Sequence, residues 1–134
     1  DGVFAIPAAR LGLGYHEGGI RALVDLVGPA TAKEIFFTAR RFTAAEALRL
    51  GVLTEGAPKA ELEGRVRERA GQIAANAPLT LQSVKRIVTE LARDPDQVDR
   101  SAIQESITRC FESDDYKEGV RAFLEKRRPE FRGR

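Results

Sequence analysis

The stretch Leu11-Gly12-Leu13-Gly14-Tyr15-His16-Glu17-Gly18-Gly19 divides the sequence into a short extended start and a series of helices. Four of the eight residues from position 12 to position 19 are glycine. Glycine adopts positive φ readily, and it lets a backbone approach another group closely. We therefore predict a loop here whose backbone either turns through positive φ or lies against a neighbouring group.

The residues before this loop predict a strand. Val3-Phe4-Ala5-Ile6 is an apolar run with β-branched and aromatic members, and Pro7, which follows it, has no N–H to donate to a sheet. We expect this run to be the end of a buried strand.

Two helices are predicted after the loop. The apolar residues of the first share one face at helical spacing: Ile20, Leu23, Val24 and Val27. Gly28-Pro29 ends this helix, and Pro29 suits the first turn of the next one, because a helix leaves its first N–H groups unpaired. Ile35 and Phe36 are expected on the inner face of the second helix.

A third, short helix is predicted from a capping box. In Thr43-Ala44-Ala45-Glu46 the Thr side chain accepts from the first turn, and the Glu side chain reaches back to the Thr backbone. The helix is expected to run through Leu50 and to end at Gly51. Val52-Leu53 is expected to add one short strand.

The second half of the sequence predicts four more amphipathic helices separated by Pro and Gly. Their apolar, capping and terminating positions are Leu62, Val66, Ala70, Ile73, Ala74 and Ala77 before Pro78; Val84, Ile87, Val88 and Leu91 before Asp94-Pro95; Val98, Ile103, Ile107, Cys110 and Phe111; and Ser113-Asp114-Asp115 before Lys126-Arg127-Arg128. In the last helix the acids lie at the positive end and the cations at the negative end.

Composition restricts the class of protein. With 134 residues, 43% hydrophobic and 31% charged, the chain reads as one globular domain. No run approaches the ~18–20 apolar residues of a membrane span, and no basic-then-apolar leader is seen, which favours the cytoplasm, or an organelle matrix if a leader was lost. The chain contains no Met and opens Asp1-Gly2-Val3-Phe4, so we expect it to be part of a longer gene product.

Cysteine and charge exclude further classes. A single Cys110 cannot form an internal disulfide or a multi-cysteine metal site, and its place on an apolar helix face favours a small buried hydrophobe over a nucleophile. The net charge of +2 is too small to imply a nucleic-acid partner, although residues 121–134 carry six Lys/Arg against two Asp/Glu.

Only one place in the sequence joins a titratable pair to a glycine-rich helix start, namely His16 and Glu17. A helix N-terminus offers free N–H groups and partial positive charge to a developing oxyanion or a phosphate. The alternative is equally physical: Glu17 caps the helix and His16 lies in solvent. No nucleophile elbow, phosphate loop, metalloprotease motif or cysteine pair is present, and no metal site is predicted.

Four stretches, in order along the chain, resemble the enoyl-CoA hydratase/isomerase (crotonase) superfamily. They are Phe4-Ala5-Ile6-Pro7-Ala8-Ala9-Arg10-Leu11-Gly12-Leu13 with Gly18-Gly19; Phe37-Thr38-Ala39-Arg40-Arg41-Phe42-Thr43-Ala44-Ala45-Glu46-Ala47 with Gly51-Val52; Ala74-Ala75-Asn76-Ala77-Pro78-Leu79 with Lys85; and Ser113-x-Asp115-x-x-Glu118-Gly119-x-x-Ala122-Phe123-x-Glu125-Lys126-Arg127. Each stretch is weak alone, but together they span the chain.

The resemblance implies the architecture. Residues 1–57 would be the C-terminal end of a spiral core of ββα units, including its last strand and the glycine-rich loop, and residues 58–134 a helical oligomerisation region. This segment is therefore expected to be mainly α, within a parent α/β fold that assembles as a homotrimer or a dimer of trimers. Family chains are longer, and their N-terminal half supplies two N–H groups that bind the thioester oxygen, together with a first acid.

The resemblance also implies the chemistry. The substrate would be an acyl-CoA thioester whose enolate is stabilised, most simply for enoyl-CoA hydration or double-bond isomerisation in fatty-acid or related acyl-CoA breakdown. Coenzyme A arrives with the substrate, so no separate cofactor is expected. Hydratases of the family carry a second Glu where this sequence has Ala8. Because Ala8 cannot do acid-base work, Glu17 and His16 are the local catalytic candidates, and the segment alone is expected to be inactive.

The last helix of the family carries a Phe and, three positions later, a Lys near the adenine and phosphates of CoA, often in a neighbouring subunit. Phe123 and Lys126 match them, and i,i+3 spacing would place both on one helix face. The alternative is that Phe123 is core and Lys126 is solvated. Arg127, Arg128, Arg132 and Arg134 are expected to add positive field.

Two function classes follow from these residues. The first is an acyl-CoA enzyme. The second is a non-catalytic assembly module, or pseudoenzyme, of the same fold, because Ala8 replaces the usual second Glu. Nucleic-acid and membrane partners are not expected, since the helices before the basic tail are balanced in charge.

Overall fold

The computed structural model of the chain describes residues 2–134. These residues form two compact units that divide between Glu63 and Gly64. The sequence predicted a division after residue 57. Part of the expectation that the chain belongs to a longer gene product rests on Asp1. This residue lies outside the described residues.

The described residues form two short strands, two 3₁₀ helices and seven α-helices. In chain order they are β1 Val3–Phe4, a 3₁₀ helix Ala8–Arg10, α1 Glu17–Val27, α2 Pro29–Thr38, β2 Phe42–Thr43, α3 Ala44–Arg49, α4 Leu62–Ala74, α5 Pro78–Leu91, a 3₁₀ helix Pro95–Gln97, α6 Arg100–Glu112 and α7 Asp114–Leu124. The mainly α character predicted for this segment is confirmed.

The first unit is built around a small apolar core beneath the β1–β2 ladder. Ile35, Phe42 and Ala47 are its buried members. The strands are antiparallel, with Val3 opposite Thr43 and Phe4 opposite Phe42. The Phe4 and Phe42 rings stack at 5.7 Å between centroids. Apolar residues of α1 and of the segment after α3 cover the core: Leu23, Val27, Leu50, Val52 and Leu53.

The prediction of a buried strand at Val3–Ile6 is only partly right. The strand is two residues long, and Val3 is 59% exposed. A run of apolar residues identifies the strand, but its burial depends on what packs on each face of the ladder.

The capping box at the start of α3 is confirmed in full. The Glu46 amide donates to Thr43 Oγ1 at 3.3 Å, and the Thr43 amide donates to Glu46 Oε2 at 2.8 Å. The helix ends before Gly51, whose φ is +76°. The strand predicted at Val52-Leu53 is wrong, because both amides donate to the Ala47 carbonyl at 2.9 and 3.2 Å and the chain wraps over the end of α3.

The second unit consists of helices whose buried side chains are small or polar. The buried residues are Ser83, Glu90, Ser113, Asp115 and Ala122. The apolar stripes that predicted α4 to α7 are present, but several of their members are exposed: Leu62, Val66, Ile73, Val84, Val88, Leu91 and Phe111. Among residues 2–134, no helix is both long enough and apolar enough to cross a membrane.

Candidate functional site

The glycine-rich loop is organised around Ala8. The Ala8 carbonyl accepts the amides of Leu11 and Leu13, each at 3.1 Å, and Gly12 between them has a φ of +63°. Positive φ is the conformation for which a glycine is suited. The prediction that this loop turns through positive φ is therefore confirmed at Gly12.

The other predicted reason for glycine, close approach, applies at Gly19. A Cβ on Gly19 would lie 2.7 Å from Cε1 of Tyr15, whereas a Cβ on Gly18 would have nothing nearer than His16 Nδ1 at 3.8 Å. Tyr15 is held there by a stacked contact with His16 at 5.9 Å and an edge contact with Phe36 of α2 at 5.2 Å. Tyr15 thus anchors the loop to α2, a role that the sequence analysis did not assign.

His16 caps α1. Its Nδ1 accepts the Gly19 amide at 3.3 Å, and the His16 backbone is extended, as an N-cap requires. Because Nδ1 is an acceptor here, the hydrogen-bond pattern places the proton of a neutral imidazole on Nε2. His16 therefore presents a donor to its surroundings. The alternative considered from the sequence had the roles reversed, with Glu17 as the cap.

Glu17 is the first residue of α1 and is exposed. Within residues 2–134 its carboxylate has no hydrogen-bond or ion-pair partner, and the same holds for the amides of Glu17 and Gly18. The start of α1 consequently offers an acceptor at Glu17, a donor at His16 Nε2 and two backbone N–H groups. This combination suits proton transfer beside a developing negative charge.

Ala8 begins the 3₁₀ helix that precedes the loop, and only 6% of it is exposed. Its side chain is a methyl group. Ala8, which the resemblance predicts to stand in the place of a second Glu, therefore offers no acid at this position.

The end of α7 is a turn in left-handed backbone. Helix α7 ends at Leu124, and Lys126 has a φ of +53°. The Lys126 amide donates to the Phe123 carbonyl at 3.2 Å, and the Arg127 amide donates to the Ala122 carbonyl at 3.0 Å. This pair of hydrogen bonds is a Schellman motif, in which the left-handed position is usually glycine.

This turn corrects the predicted placement of Phe123 and Lys126. Phe123 lies on α7 and is 83% exposed, so it is not a core residue. Lys126 lies beyond the helix, so the two residues do not share a helix face. The hydrogen bond between their backbones keeps them adjacent at the end of α7.

Arg127 is paired, which corrects the prediction that it adds free positive field. Its guanidinium donates to both carboxylate oxygens of Glu118, at 2.6 and 3.0 Å, and to Glu125 at 2.6 Å. This bidentate pair, with the Glu130 amide, lowers the pKa of Glu118 to about 2, and the same carboxylates raise the pKa of Arg127. Lys126, in contrast, has no hydrogen-bond or ion-pair partner for its ammonium among the described residues.

The C-terminal residues return to the start of α7. Asp115 is 3% exposed, and its two carboxylate oxygens accept the amides of Arg132 and Gly133, each at 2.7 Å. The Arg134 carbonyl accepts from Asp114 and Asp115 at 2.8 and 3.2 Å. From the sequence, Asp115 was expected to be an acid in the first turn of the last helix. Its burial depends on residues that come 17 and 18 positions later.

A cavity of about 470 Å³ lies between α5 and α6. Cations line its rim, and the buried Glu90 carboxylate accepts the Asp99 amide at 2.9 Å. Cys110 is half-buried on α6 and contacts the Ser106 carbonyl through sulfur at 3.3 Å. Across residues 2–134, no three His, Cys, Asp or Glu side chains are grouped so that they could hold a metal ion.

Known proteins similar to this chain fall in one group. A family model described as enoyl-CoA hydratase/isomerase matches residues 1–134. The chain is 38% identical over 135 residues to the carnitinyl-CoA dehydratase of Proteus mirabilis (strain HI4320), covering 98% of this chain and 52% of that relative. An enoyl-CoA hydratase from Mycobacterium tuberculosis H37Rv matches with a TM-score of 0.84 at 32% identity, covering 100% of this chain and 53% of that one.

An enoyl-CoA hydratase/carnithine racemase from Magnetospirillum magneticum has a TM-score of 0.85 at 28% identity over 99% of this chain and 49% of that one. The chain thus spans about half the length of the relatives that it matches.

Proposed function

Because the chain belongs to the enoyl-CoA hydratase/isomerase (crotonase) family, we propose that its protein binds acyl-CoA thioesters and stabilises a thioester enolate. The reaction is the addition or removal of water across the α,β double bond, or the migration of that bond, in fatty-acid or related acyl-CoA breakdown. The match of one family model across the whole chain carries this proposal.

The reaction has three chemical requirements. Water addition needs a group that orients and deprotonates water, a proton donor for the α-carbon, and donors for the enolate oxygen. Glu17 supplies an exposed acceptor and His16 a donor at Nε2, beside two unpaired backbone amides. We propose Glu17 as the general base and His16 as the hydrogen-bond donor, with the acid that protonates the α-carbon and the remaining enolate donors coming from the half of the fold that precedes this segment in its relatives.

The names of the relatives favour water chemistry over bond migration. The Proteus mirabilis relative is a carnitinyl-CoA dehydratase, and dehydration is hydration run in the opposite direction. This favours a hydro-lyase whose acid-base groups differ from the usual pair of glutamates, because Ala8 cannot transfer a proton.

We propose that the nucleotide end of coenzyme A binds at the end of α7. Phe123 offers an exposed ring on which a base can stack, and Lys126, whose backbone amide donates to the Phe123 carbonyl, offers an unpaired ammonium for a phosphate. The substrate itself carries the coenzyme, so the proposal requires no metal or redox cofactor. The protein is expected to act in the cytoplasm.

A non-catalytic assembly module is the second candidate, favoured by one observation, namely the methyl group of Ala8 at the position of the usual second Glu. The exposed apolar side chains of α4 and α5 support a subunit interface in either case. We propose a homotrimer or a dimer of trimers, to be checked by light scattering on the full-length protein.

The test is calorimetric titration of the full-length protein with CoA esters, combined with turnover of enoyl-CoA substrates. We expect binding and turnover. Lys126→Ala should raise KM for CoA esters about tenfold while kcat stays nearly constant, because one charge-assisted contact to a phosphate is lost. Lys117→Ala, which lies on α7 and is paired with Asp114, is the matched control and should change neither constant.

Binding without any turnover would favour the assembly module. Neither binding nor turnover would refute the proposed function. An unaltered KM in Lys126→Ala would remove Lys126 from the binding site.

A further inference from the structure

The left-handed backbone at Lys126 is unfavourable for a residue that has a side chain. Of residues 2–134, only Ala39 and Lys126 have positive φ without being glycine. The Schellman hydrogen bonds of Lys126 and Arg127 would form equally well with glycine at position 126. A conformation of this kind persists only where surrounding contacts determine it.

Those contacts begin at the next residue. Arg127 donates through Nη1 and Nη2 to the two oxygens of Glu118, at 2.6 and 3.0 Å, and through Nε to Glu125 at 2.6 Å. Two parallel hydrogen bonds fix the plane of a guanidinium as well as its position. The backbone immediately after Lys126 is thereby tied to the middle of α7.

The chain beyond Arg127 is held by the same face of α7. The Glu130 amide donates to Glu118 Oε1 at 3.1 Å, and the Arg132 and Gly133 amides donate to the buried Asp115 carboxylate. The Phe131 ring lies beside Gly119, where a Cβ would be 3.6 Å away. Two carboxylates of α7 therefore hold the backbone that follows the turn.

We propose that Glu118 and Asp115 are positioning residues that hold the turn at Lys126 and so present its ammonium to the nucleotide phosphates of a CoA thioester. This inference rests on the proposed function. The two carboxylates do not bind the phosphates themselves, since both are negatively charged and already accept hydrogen bonds from the chain. They act through Lys126, because a side chain ordered before binding loses less conformational entropy when its ligand arrives.

The decisive experiment is a double-mutant cycle on the full-length protein, with coenzyme A as the calorimetric probe. Glu118→Gln keeps an acceptor for the Glu130 amide but loses the ion pair with Arg127 and the longer one, of 3.5 Å, with Arg121. It should raise the Kd for coenzyme A about fivefold and leave kcat unchanged. Lys126→Gly keeps the turn but removes the ammonium, and it should raise Kd about tenfold.

The double variant should bind no more weakly than Lys126→Gly alone, because Glu118 has nothing left to position. Asp114→Asn removes an exposed carboxylate from the first turn of α7 and should leave the Kd for coenzyme A unchanged. Additive effects of Glu118→Gln and Lys126→Gly, or an unchanged Kd in Glu118→Gln, would overturn the inference while leaving the proposed function intact. A wild-type protein that does not bind coenzyme A or its esters would overturn both.

Discussion

His16 caps the N-terminus of α1 in this structure, in addition to its proposed role in the reaction. Its Nδ1 satisfies the Gly19 amide at the start of α1. A proton placed on Nδ1 would remove that acceptor and break the cap, so the ring is arranged to donate from Nε2 and not to act as a base through Nδ1. An ionised Glu17 can only accept a hydrogen bond. This geometry therefore makes His16 the donor and Glu17 the acceptor.

Substitutions at His16 separate the two tasks. His16→Ala should lower the free energy of unfolding by about 0.5–1 kcal/mol, because the Gly19 amide loses its side-chain partner. His16→Asn supplies a side-chain oxygen acceptor and should restore that stability without restoring the imidazole donor. Urea unfolding and enoyl-CoA turnover of both variants provide the comparison. Full turnover in His16→Asn would show that His16 only caps the helix.

Glu17 is predicted to be the general base. Glu17→Gln should lower kcat by about 10²–10⁴, the usual contribution of a positioned acid-base group, and should leave the unfolding midpoint nearly unchanged because the carboxylate is exposed. Asp25→Asn, an exposed carboxylate on the same helix, is the control and should keep full turnover. Turnover in Glu17→Gln equal to that of the control would reject the assignment.

At the scale of the element, two neighbouring glycines of α1 differ in whether a side chain would fit at their position. Gly18 and Gly19 both lie in the first turn of α1, where alanine would favour the helix more. Only Gly19 faces the Tyr15 ring, which links the loop to Phe36 of α2. The helix start is therefore fixed by tertiary packing at one glycine and not at the other.

The two glycines make a matched pair of substitutions. Gly19→Ala should lower the free energy of unfolding by about 1–2 kcal/mol, because the new Cβ displaces Tyr15 from its place against Phe36. In Gly18→Ala the new Cβ makes only an ordinary contact with His16 Nδ1 at 3.8 Å, so this variant should be neutral or stabilising by up to about 1 kcal/mol. Chemical denaturation of both variants measures the difference. Equal stability in the two would contradict the close contact.

At the scale of the whole molecule, acid stability should depend on the closure of the C-terminal segment over α7. The Arg127 guanidinium and the Glu130 amide lower the pKa of Glu118 from its usual 4.5 to about 2. A lowered folded-state pKa stabilises the folded state above the unfolded-state value, and this stabilisation disappears as pH falls from about 4.5 to about 2.

The unfolding midpoint in urea should therefore decrease between about pH 5 and pH 2.5, and this decrease should be smaller in Glu118→Gln, which has no carboxyl to titrate. Asp114→Asn, which removes a carboxylate paired only at the surface with Lys117, should follow the wild-type curve. The same pH dependence in wild type and Glu118→Gln would show that the ion pair does not stabilise the fold.

Local signals in the sequence by themselves determined much of this protein. The Thr43 and Glu46 capping box, the Ser113 cap and the Pro29 helix start were all predicted, because each acts within one helical turn and leaves a fixed spacing. The four stretches that resemble the family could also be recognised from the sequence, because this requires only the identities and the order of residues along the chain.

Only the tertiary structure decided which distant segments meet. It paired β1 with Phe42–Thr43 and not with Val52-Leu53, and it brought the C-terminal residues back to Asp115. It also neutralised Arg127 while leaving Lys126 unpaired in a left-handed turn. Such contacts depend on how loops close and on which side chains compete for one partner, and neither leaves a periodic signal in the sequence. The helices could therefore be read from the residues, and the arrangement at the end of α7 could not.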